Sequence, residues 1–237
     1  MIGDAALGEI CLTRLARSGA DVSGVRRLAG RQTGLTVVLP QPHERFILTY
    51  LGVIAEMRFE DLDLTQVLNA RHFHLSSLFL QRALRPRVGE LFKLAKAGIS
   101  TSLDTNDDPE DRWEEDVLGV LPWVDVLLPN QYEACRLARH DEPADAAAIL
   151  GERVPLVIMK RGERGVLAQR GKEVVEMRPR KTEAVDTVGA GDSFDAGFLH
   201  EYIRGSSLEK CLLCQSCGGT FNDPLGRHRS ISLCSAP

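Results

Sequence analysis

The chain has 237 residues, of which 43% are hydrophobic and 26% are charged, a composition typical of a globular protein with a sizeable core. The formal net charge is -4 and no basic run is present, which excludes a nucleic-acid partner bound through a basic face. No stretch reaches the ~18 consecutive apolar residues of a membrane span, so we expect no membrane partner. The chain has six cysteines and no secretory signal at its start, which favours a reducing compartment, and we expect a cytoplasmic protein.

Strand-like and helix-like segments alternate along most of the chain. A helical period covers Asp4–Ser18, and the strand-like runs Thr33–Leu39 and Arg45–Leu51 predict a hairpin that forms a small separate sheet. The later predicted elements are strand His72–Leu80, helix Arg87–Ala97, strand Ile99–Leu103, helix Glu110–Val117, strand Asp125–Leu128, helices Gln131–Arg139 and Ala144–Gly151, strand Leu156–Met159, hairpin Gly165–Met177, and helices Asp192–Arg204 and Ser207–Phe221. This alternation predicts an α/β fold with a parallel sheet covered by helices on both faces.

A glycine-rich segment, Val185–Phe194, leads into the helix predicted at Asp192. Gly189 and Gly191 allow a tight turn that brings backbone N–H groups close to a ligand, and the start of the helix adds its positive dipole end. A carboxylate at the mouth of such an anion site can accept the proton of an attacking hydroxyl, as phosphoryl transfer to an alcohol requires. On composition alone, a plain glycine-rich helix start with an ordinary first-turn acid remains equally open.

Three motifs together resemble those of the ribokinase-like (PfkB) carbohydrate kinases. Asp186–Phe198 resembles the family's C-terminal signature, Asn130 and Glu133 match its Asn-x-x-Glu motif, and Lys160–Gly165 is similar to its nucleotide-side loop. The resemblance runs from about residue 3 to about residue 226. It implies ATP-dependent phosphorylation of a sugar hydroxyl by one ribokinase-like domain over residues 1–237, with a parallel sheet sandwiched by helices and a small β lid at about residues 33–51.

The resemblance also implies residue roles. Asp192 is the catalytic base, and Asp195, one turn further on, is interpreted as a solvated first-turn acid. The N–H groups of Gly189, Ala190 and Gly191 hold the transferred phosphoryl group. Asn130 and Glu133 organise Mg2+ through water, and Asp186 forms a K+ site with the Val188 carbonyl. The residues on the ATP side are Lys160, Gly162, Gly165 and Gln215. Asn130 and Glu133 equally fit a helix N-cap with its reciprocal glutamate, and the two roles can coexist.

The sequence departs from the family at three places: its N-terminus; Lys160, where many members have Thr or Ser near the nucleotide phosphates, with the run Asp104–Asp108; and its C-terminus, where Gln215 falls where an Asn often lies near the adenine. The opening segment Gly3–Glu9 resembles a point well inside the family's domain, so we expect a domain that is incomplete at its N-terminus and catalytically poor as written. The alternative is therefore a truncated or decayed member that binds nucleotide without phosphorylating sugar. Asp108 ends an Asp-x-Asn-x-Asp run where sugar-acid kinases of the family have Arg, which favours a neutral sugar. The expected partners are a small-molecule sugar and a second copy of the chain, paired through the lid.

Overall fold

The structure is a computed structural model that describes residues 1–40, 45–113, 115–178 and 189–213. These residues belong to two compact units. The first comprises Met1–Ser100 and Thr105–Trp123, and the second comprises Thr101–Asp104 and the chain from Val124 onwards. No helix within the described ranges is long and apolar enough to cross a membrane.

The first unit combines a short parallel strand pair, an antiparallel hairpin and several helices. Its elements are β1 (Ile2–Gly3), α1 (Ala6–Arg17), β2 (Arg27–Leu28), β3 (Leu35–Pro40), β4 (Arg45–Tyr50), α2 (Leu64–Leu68), β5 (His72–Leu75), α3 (Val88–Lys96) and α4 (Glu115–Val120). The predicted first helix, the hairpin and the helix at Arg87–Ala97 are confirmed. The pairing of β1 with β2 was not predicted, because strands of two residues carry no readable period.

The strand predicted at His72–Leu80 is shorter than expected. β5 ends at Leu75, Ser77 has a left-handed φ of 55°, and Leu78–Leu80 forms a short 3-10 helix. Because a positive φ takes the backbone out of the extended region, the strand cannot continue through Ser77.

The hairpin β3–β4 presents an apolar face. Leu35 lies opposite Tyr50 and Val37 lies opposite Leu48, and because alternate residues of a strand share a face, Leu39 lies on that face too. These five side chains are between 43% and 60% exposed. Such a face is a site for contact with another surface.

The loop before α4 is organised by one buried carboxylate. Asp108, 5% exposed, accepts hydrogen bonds from the backbone N–H groups of Glu110 (3.1 Å), Arg112 (2.9 Å) and Trp113 (2.8 Å). Asp111 and Trp113 have left-handed φ values of 49° and 48°. The prediction of a helix starting at Glu110 is therefore wrong, since the backbone up to Trp113 follows the turn around Asp108.

The second unit carries most of the larger sheet. Its elements are β6 (Ser100–Leu103, whose first residue is counted with the first unit), β7 (Val126–Leu127), α5 (Gln131–Ala138), α6 (Pro143–Gly151), β8 (Leu156–Lys160), β9 (Val166–Arg170), β10 (Glu173–Met177), α7 (Ala190–Ile203) and α8 (Leu208–Leu213). Within this unit the strand order is β10-β9-β8-β7-β6. β6, β7 and β8 are parallel neighbours, as predicted, and β9 and β10 continue antiparallel as the predicted hairpin.

Helix α7 packs on this sheet through an apolar stripe. Phe194 and Phe198 belong to a buried cluster with Ile158 of β8 and with Val166 and Ala168 of β9. The two phenylalanine rings stack with their centroids 6.2 Å apart. The packing fixes α7 against the strands, and since β6, β7 and β8 run parallel, the residues that end these strands lie at one edge of the sheet.

We expect Asp108→Ala to lower the free energy of unfolding by about 3 kcal/mol, because three buried or partly buried N–H groups lose a charged acceptor. Urea unfolding followed by circular dichroism measures the change. Asp107→Ala, which removes the exposed neighbouring acid, is the matched control and should cost much less. Equal losses in the two variants would show that Asp108 does not organise the loop.

Candidate active site

The N-terminal turn of α7 has the geometry of an anion site. Gly189 precedes the helix with a left-handed φ of 74°, which glycine adopts without strain, and the N–H of Ser193 donates to its carbonyl at 2.9 Å. The first N–H groups of a helix have no carbonyl one turn earlier in the helix to donate to, so those of Ala190 and Gly191 lie where a helix can bind an anion. Asp192 lies in the same turn with its side chain exposed.

Gly191 leaves open space beside this turn. Among the described residues, a Cβ added to Gly191 would meet only the Lys160 Nζ outside its own helix backbone, at 3.7 Å. That is an ordinary van der Waals distance, so the protein itself does not demand glycine at this position. A ligand that approaches the backbone closely would account for it, and the open space beside exposed N–H groups and an ammonium fits a phosphate group.

The Lys160 ammonium lies between two carboxylates of the second unit. Lys160 ends β8, and its Nζ is 3.0 Å from Asp104 Oδ2 and 3.1 and 3.0 Å from the two carboxylate oxygens of Asp195. The side chains of Lys160, Asp104 and Asp195 are 15%, 13% and 5% exposed. Asp104 directly follows β6 and Asp195 lies in α7, so one cation ties two strand ends to the helix.

Burial sets the protonation of this cluster. It raises the pKa of Asp195 to about 8, and the hydrogen bond and negative charge of Asp104 act in the same direction while Lys160 opposes them. Burial alone would lower the pKa of Lys160, but the attraction of Asp195 and Asp104 outweighs burial and raises it. Near neutral pH Asp195 therefore keeps its proton beside the Lys160 ammonium.

The interpretation of Asp195 as a solvated acid is wrong. Asp195 is 4% exposed, because it lies three and four residues before Phe198 and Leu199 on the face of α7 that packs on the sheet. That spacing was the signal in the sequence that could have predicted its burial. Asp104 was also missed as a site residue, and its position directly after a buried strand was the corresponding signal.

Asn130 and Glu133 form a capping box at the start of α5. Asn130 Oδ1 accepts from the Glu133 N–H at 2.9 Å, and the Glu133 carboxylate accepts from the Asn130 N–H at 2.8 Å and from Asn130 Nδ2 at 2.6 Å. The helix-cap alternative is therefore realised. Asn130 also pairs with Lys160 through an isolated parallel bridge, which places both residues at one edge of the sheet.

The donor set around Glu133 bears on a magnesium ion. Among the described residues, no group of three or more His, Cys, Asp or Glu side chains could hold a metal. The two Glu133 oxygens accept from the Asn130 N–H and from Asn130 Nδ2, so the carboxylate is held in one orientation at the start of α5. These residues fit a largely hydrated Mg2+ that they contact through water, and they do not fit an ion enclosed by protein ligands.

The turn between β8 and β9 is built on two glycines. Gly162 has a φ of 58°, and Gly165 has φ 84° with ψ -133°, a region that only glycine enters readily. The N–H of Arg161 donates to the Gly165 carbonyl at 2.7 Å, which closes the turn beside Lys160. Arg164 Nη2 donates to Gln131 Oε1 at 2.7 Å and so links this turn to the start of α5.

The structure thus brings most of the predicted site residues of the second unit together. Asp192, Gly189, Ala190 and Gly191 form one turn; Lys160, Gly162 and Gly165 form another, and Gly191 lies beside the Lys160 ammonium. Asn130 pairs with Lys160. Asp186, Val188 and Gln215 lie outside the described residues, so their predicted K+ and ATP contacts stay predictions.

The raised pKa of Asp195 predicts how stability depends on pH. The folded protein keeps the Asp195 proton up to about pH 8, whereas the unfolded chain loses it near 3.8, so between these values the folded state binds more protons. The Asp195 contribution to the free energy of unfolding should therefore fall as pH rises through this window, by up to about 1.4 kcal/mol per pH unit. Urea unfolding at pH 5, 6, 7 and 8 should show this fall for the wild type relative to Asp195→Asn. Parallel pH profiles for the two proteins would contradict it.

Comparison with known proteins agrees with this geometry. The sequence profile of the pfkB family carbohydrate kinases matches residues 1–215. An uncharacterized sugar kinase from Archaeoglobus fulgidus is 27% identical over 210 residues, which cover 89% of this chain and 84% of the relative. A cytidine kinase from Thermococcus kodakarensis is 30% identical over 198 residues, which cover 81% of this chain and 69% of the relative.

A solved structure confirms the fold. A protein from Escherichia coli assigned as ribokinase II, in complex with ATP and Mg2+, matches with a TM-score of 0.81 and 26% identity, covering 94% of this chain and 76% of that one. The predicted ribokinase-like α/β fold is therefore confirmed. Since the family profile covers most of the chain and includes the turn that carries Asp192, this chain belongs to the pfkB family of carbohydrate kinases.

Proposed function

We propose that this chain transfers the γ-phosphoryl group of ATP to a hydroxyl of a sugar or a sugar-containing small molecule. The observation that carries the proposal is the first turn of α7, where the N–H groups that begin the helix, an exposed carboxylate and the space beside Gly191 occur together. Phosphoryl transfer needs positioning and electrostatic stabilisation more than covalent chemistry from the protein, and such a turn supplies both.

Asp192 is the general base of the proposed reaction. Its carboxylate is exposed at the start of the helix, so it can accept the proton of an incoming hydroxyl as that oxygen attacks phosphorus. The N–H groups of Gly189, Ala190 and Gly191 stabilise the negative charge of the transferred phosphoryl group. The helix dipole acts in the same direction because its positive end lies at this turn.

Lys160, Gly162 and Gly165 form the proposed ATP side, and the predicted role of Gln215 belongs there too. Mg2+ would neutralise charge on the ATP phosphates, and Asn130 and Glu133 would hold its water shell. We also propose that Asp186 binds K+ together with the Val188 carbonyl.

The acceptor is proposed only at the level of a sugar or nucleoside hydroxyl, since the relatives are named for different acceptors. The proposed preference for a neutral acceptor rests on Asp107, because its carboxyl group is exposed and can repel an anionic acceptor. Asp108 is buried and its charge is taken up by three backbone N–H groups. We further propose that the exposed apolar face of β3–β4 serves as the lid over the acceptor and as the contact of a homodimer. The cytoplasmic location stays a prediction.

Asp192→Asn should lower kcat by several orders of magnitude and leave ATP affinity nearly unchanged, because the base is lost and the N–H groups remain. A coupled ADP-release assay with a panel of neutral sugars, sugar acids and nucleosides, together with calorimetric titration of ATP, measures both quantities. Asp145→Asn, which changes an acid in the first turn of α6, is the matched control.

Two outcomes would change the assignment. Retention of most of the activity by Asp192→Asn would remove it as the base. ATP binding by the wild type without ADP release for any acceptor would favour a family member that binds nucleotide and does not phosphorylate sugar.

Glu133→Gln should raise the Mg2+ concentration for half-maximal rate several-fold, because one carboxylate charge near the hydrated ion is lost. The cap should survive, since a glutamine oxygen still accepts from the Asn130 N–H, so thermal stability should change little. Glu152→Gln, at the end of α6, is the control. An unchanged Mg2+ requirement would leave Glu133 with the cap role alone.

A further inference from the structure

The proposed function leaves unexplained why the Lys160 ammonium has two buried carboxylates around it. We propose that Asp104 and Asp195 are positioning residues that hold the Lys160 ammonium beside Gly191, at the turn where the transferred phosphoryl group binds. This inference rests on the proposed function and gives a role to two residues for which the sequence analysis proposed none in the site.

The geometry gives the first reason. A lysine side chain has four rotatable bonds, and an ammonium at the end of a strand would sample many positions without fixed partners. Here three contacts of 3.0 to 3.1 Å hold Nζ in place: one with Asp104 and one with each carboxyl oxygen of Asp195. Asp195 is one turn beyond Asp192 on the same helix, so the ammonium, Gly191 and the proposed base are fixed to one another.

Charge gives the second reason. Two ionised carboxylates next to one ammonium would leave a net negative charge beside the proposed phosphate site and would repel it. Because Asp195 keeps its proton near neutral pH, it adds no negative charge beside the Lys160 ammonium, which keeps its attraction for an anion. Asp195 can therefore anchor Lys160 without opposing phosphate binding.

Stability alone does not account for the cluster. A buried group of charges contributes little net stability compared with apolar side chains of similar volume, because desolvation offsets much of the attraction. Asp195 contacts the Lys160 ammonium, whereas Phe194 and Phe198 of the same helix form the apolar cluster with Ile158. Holding a cation at the phosphate site gives the charged residues a role that packing does not.

The first test compares two substitutions of Asp195. Asp195→Asn keeps an oxygen that accepts from Lys160 and matches the neutral carboxyl, whereas Asp195→Leu removes both acceptors. We expect Asn to keep ADP affinity and kcat within about threefold of wild type, and Leu to lower both by about tenfold or more while leaving the KM for the acceptor nearly unchanged. A folded Asp195→Leu protein with wild-type ADP affinity and kcat would overturn the proposal.

The second test separates the ammonium from its effect on stability. Lys160→Met leaves buried carboxyl groups without their cation and should lower Tm and ADP affinity together. Adding Asp104→Asn and Asp195→Asn should restore Tm but not ADP affinity, since the ammonium is still missing. Recovery of affinity together with Tm would show that the cluster is only structural. The matched control is Lys210→Met, which removes an ammonium that is 58% exposed from its ion pair with Glu201 of α7 and should leave ADP affinity unchanged and Tm less altered than Lys160→Met does.

A measurement on the protein without nucleotide tests this proposal independently of the proposed function. The amide 1H and 15N resonances of Gly189 and Gly191 should shift in Lys160→Met and stay unchanged in Lys210→Met, whether or not the protein phosphorylates a sugar. Failure of wild type to bind ATP or ADP would refute the proposed function, and the resonances would still decide the positioning role. Unchanged Gly191 resonances in a folded Lys160→Met protein would overturn it.

Discussion

The contact on which the site depends is the one between the Lys160 ammonium and the carboxyl groups of Asp104 and Asp195. These residues are 56 and 35 positions away from Lys160 in the chain, and each belongs to a different element. A buried ammonium requires acceptors, so the ends of β6 and β8 and the second turn of α7 must come together if the lysine is to be buried at all. Because all three groups belong to the second unit, that unit contains the complete cluster.

The apolar packing of α7 and this polar cluster constrain the same turn from two sides. Phe194 and Phe198 fix the helix on the sheet, and Asp195 fixes its rotation, because only one orientation brings that carboxyl group to Lys160. The first turn of the helix is then held in place, with the Lys160 ammonium next to Gly191. An anion site made of backbone groups loses no side-chain entropy on binding. The positions of its N–H groups therefore depend on how firmly the helix itself is held.

Sequence reasoning recovered what local patterns encode. Strand and helix periods gave both hairpins and most helices, and the glycine-rich turn before α7 was recognised from backbone requirements alone. It failed where one distant or buried group overrides a local pattern. The helix expected from Glu110 does not begin there because the Asp108 carboxylate draws the backbone N–H groups of Glu110, Arg112 and Trp113 into a turn. The clustering of Asp104, Lys160 and Asp195 was missed because it follows only from the order of strands in the sheet.

Asn130 and Glu133 show how one pair of residues can serve both the fold and the chemistry. The capping box fixes the Glu133 carboxylate in one orientation. A fixed carboxylate suits a hydrated Mg2+, which needs its outer ligands in defined positions and gives up water reluctantly. The bridge between Asn130 and Lys160 brings this carboxylate to the same edge of the sheet as the ammonium. The Lys160 ammonium, fixed by its carboxyl partners, and Mg2+, held through water, would thus act on the same phosphates from one edge of the sheet.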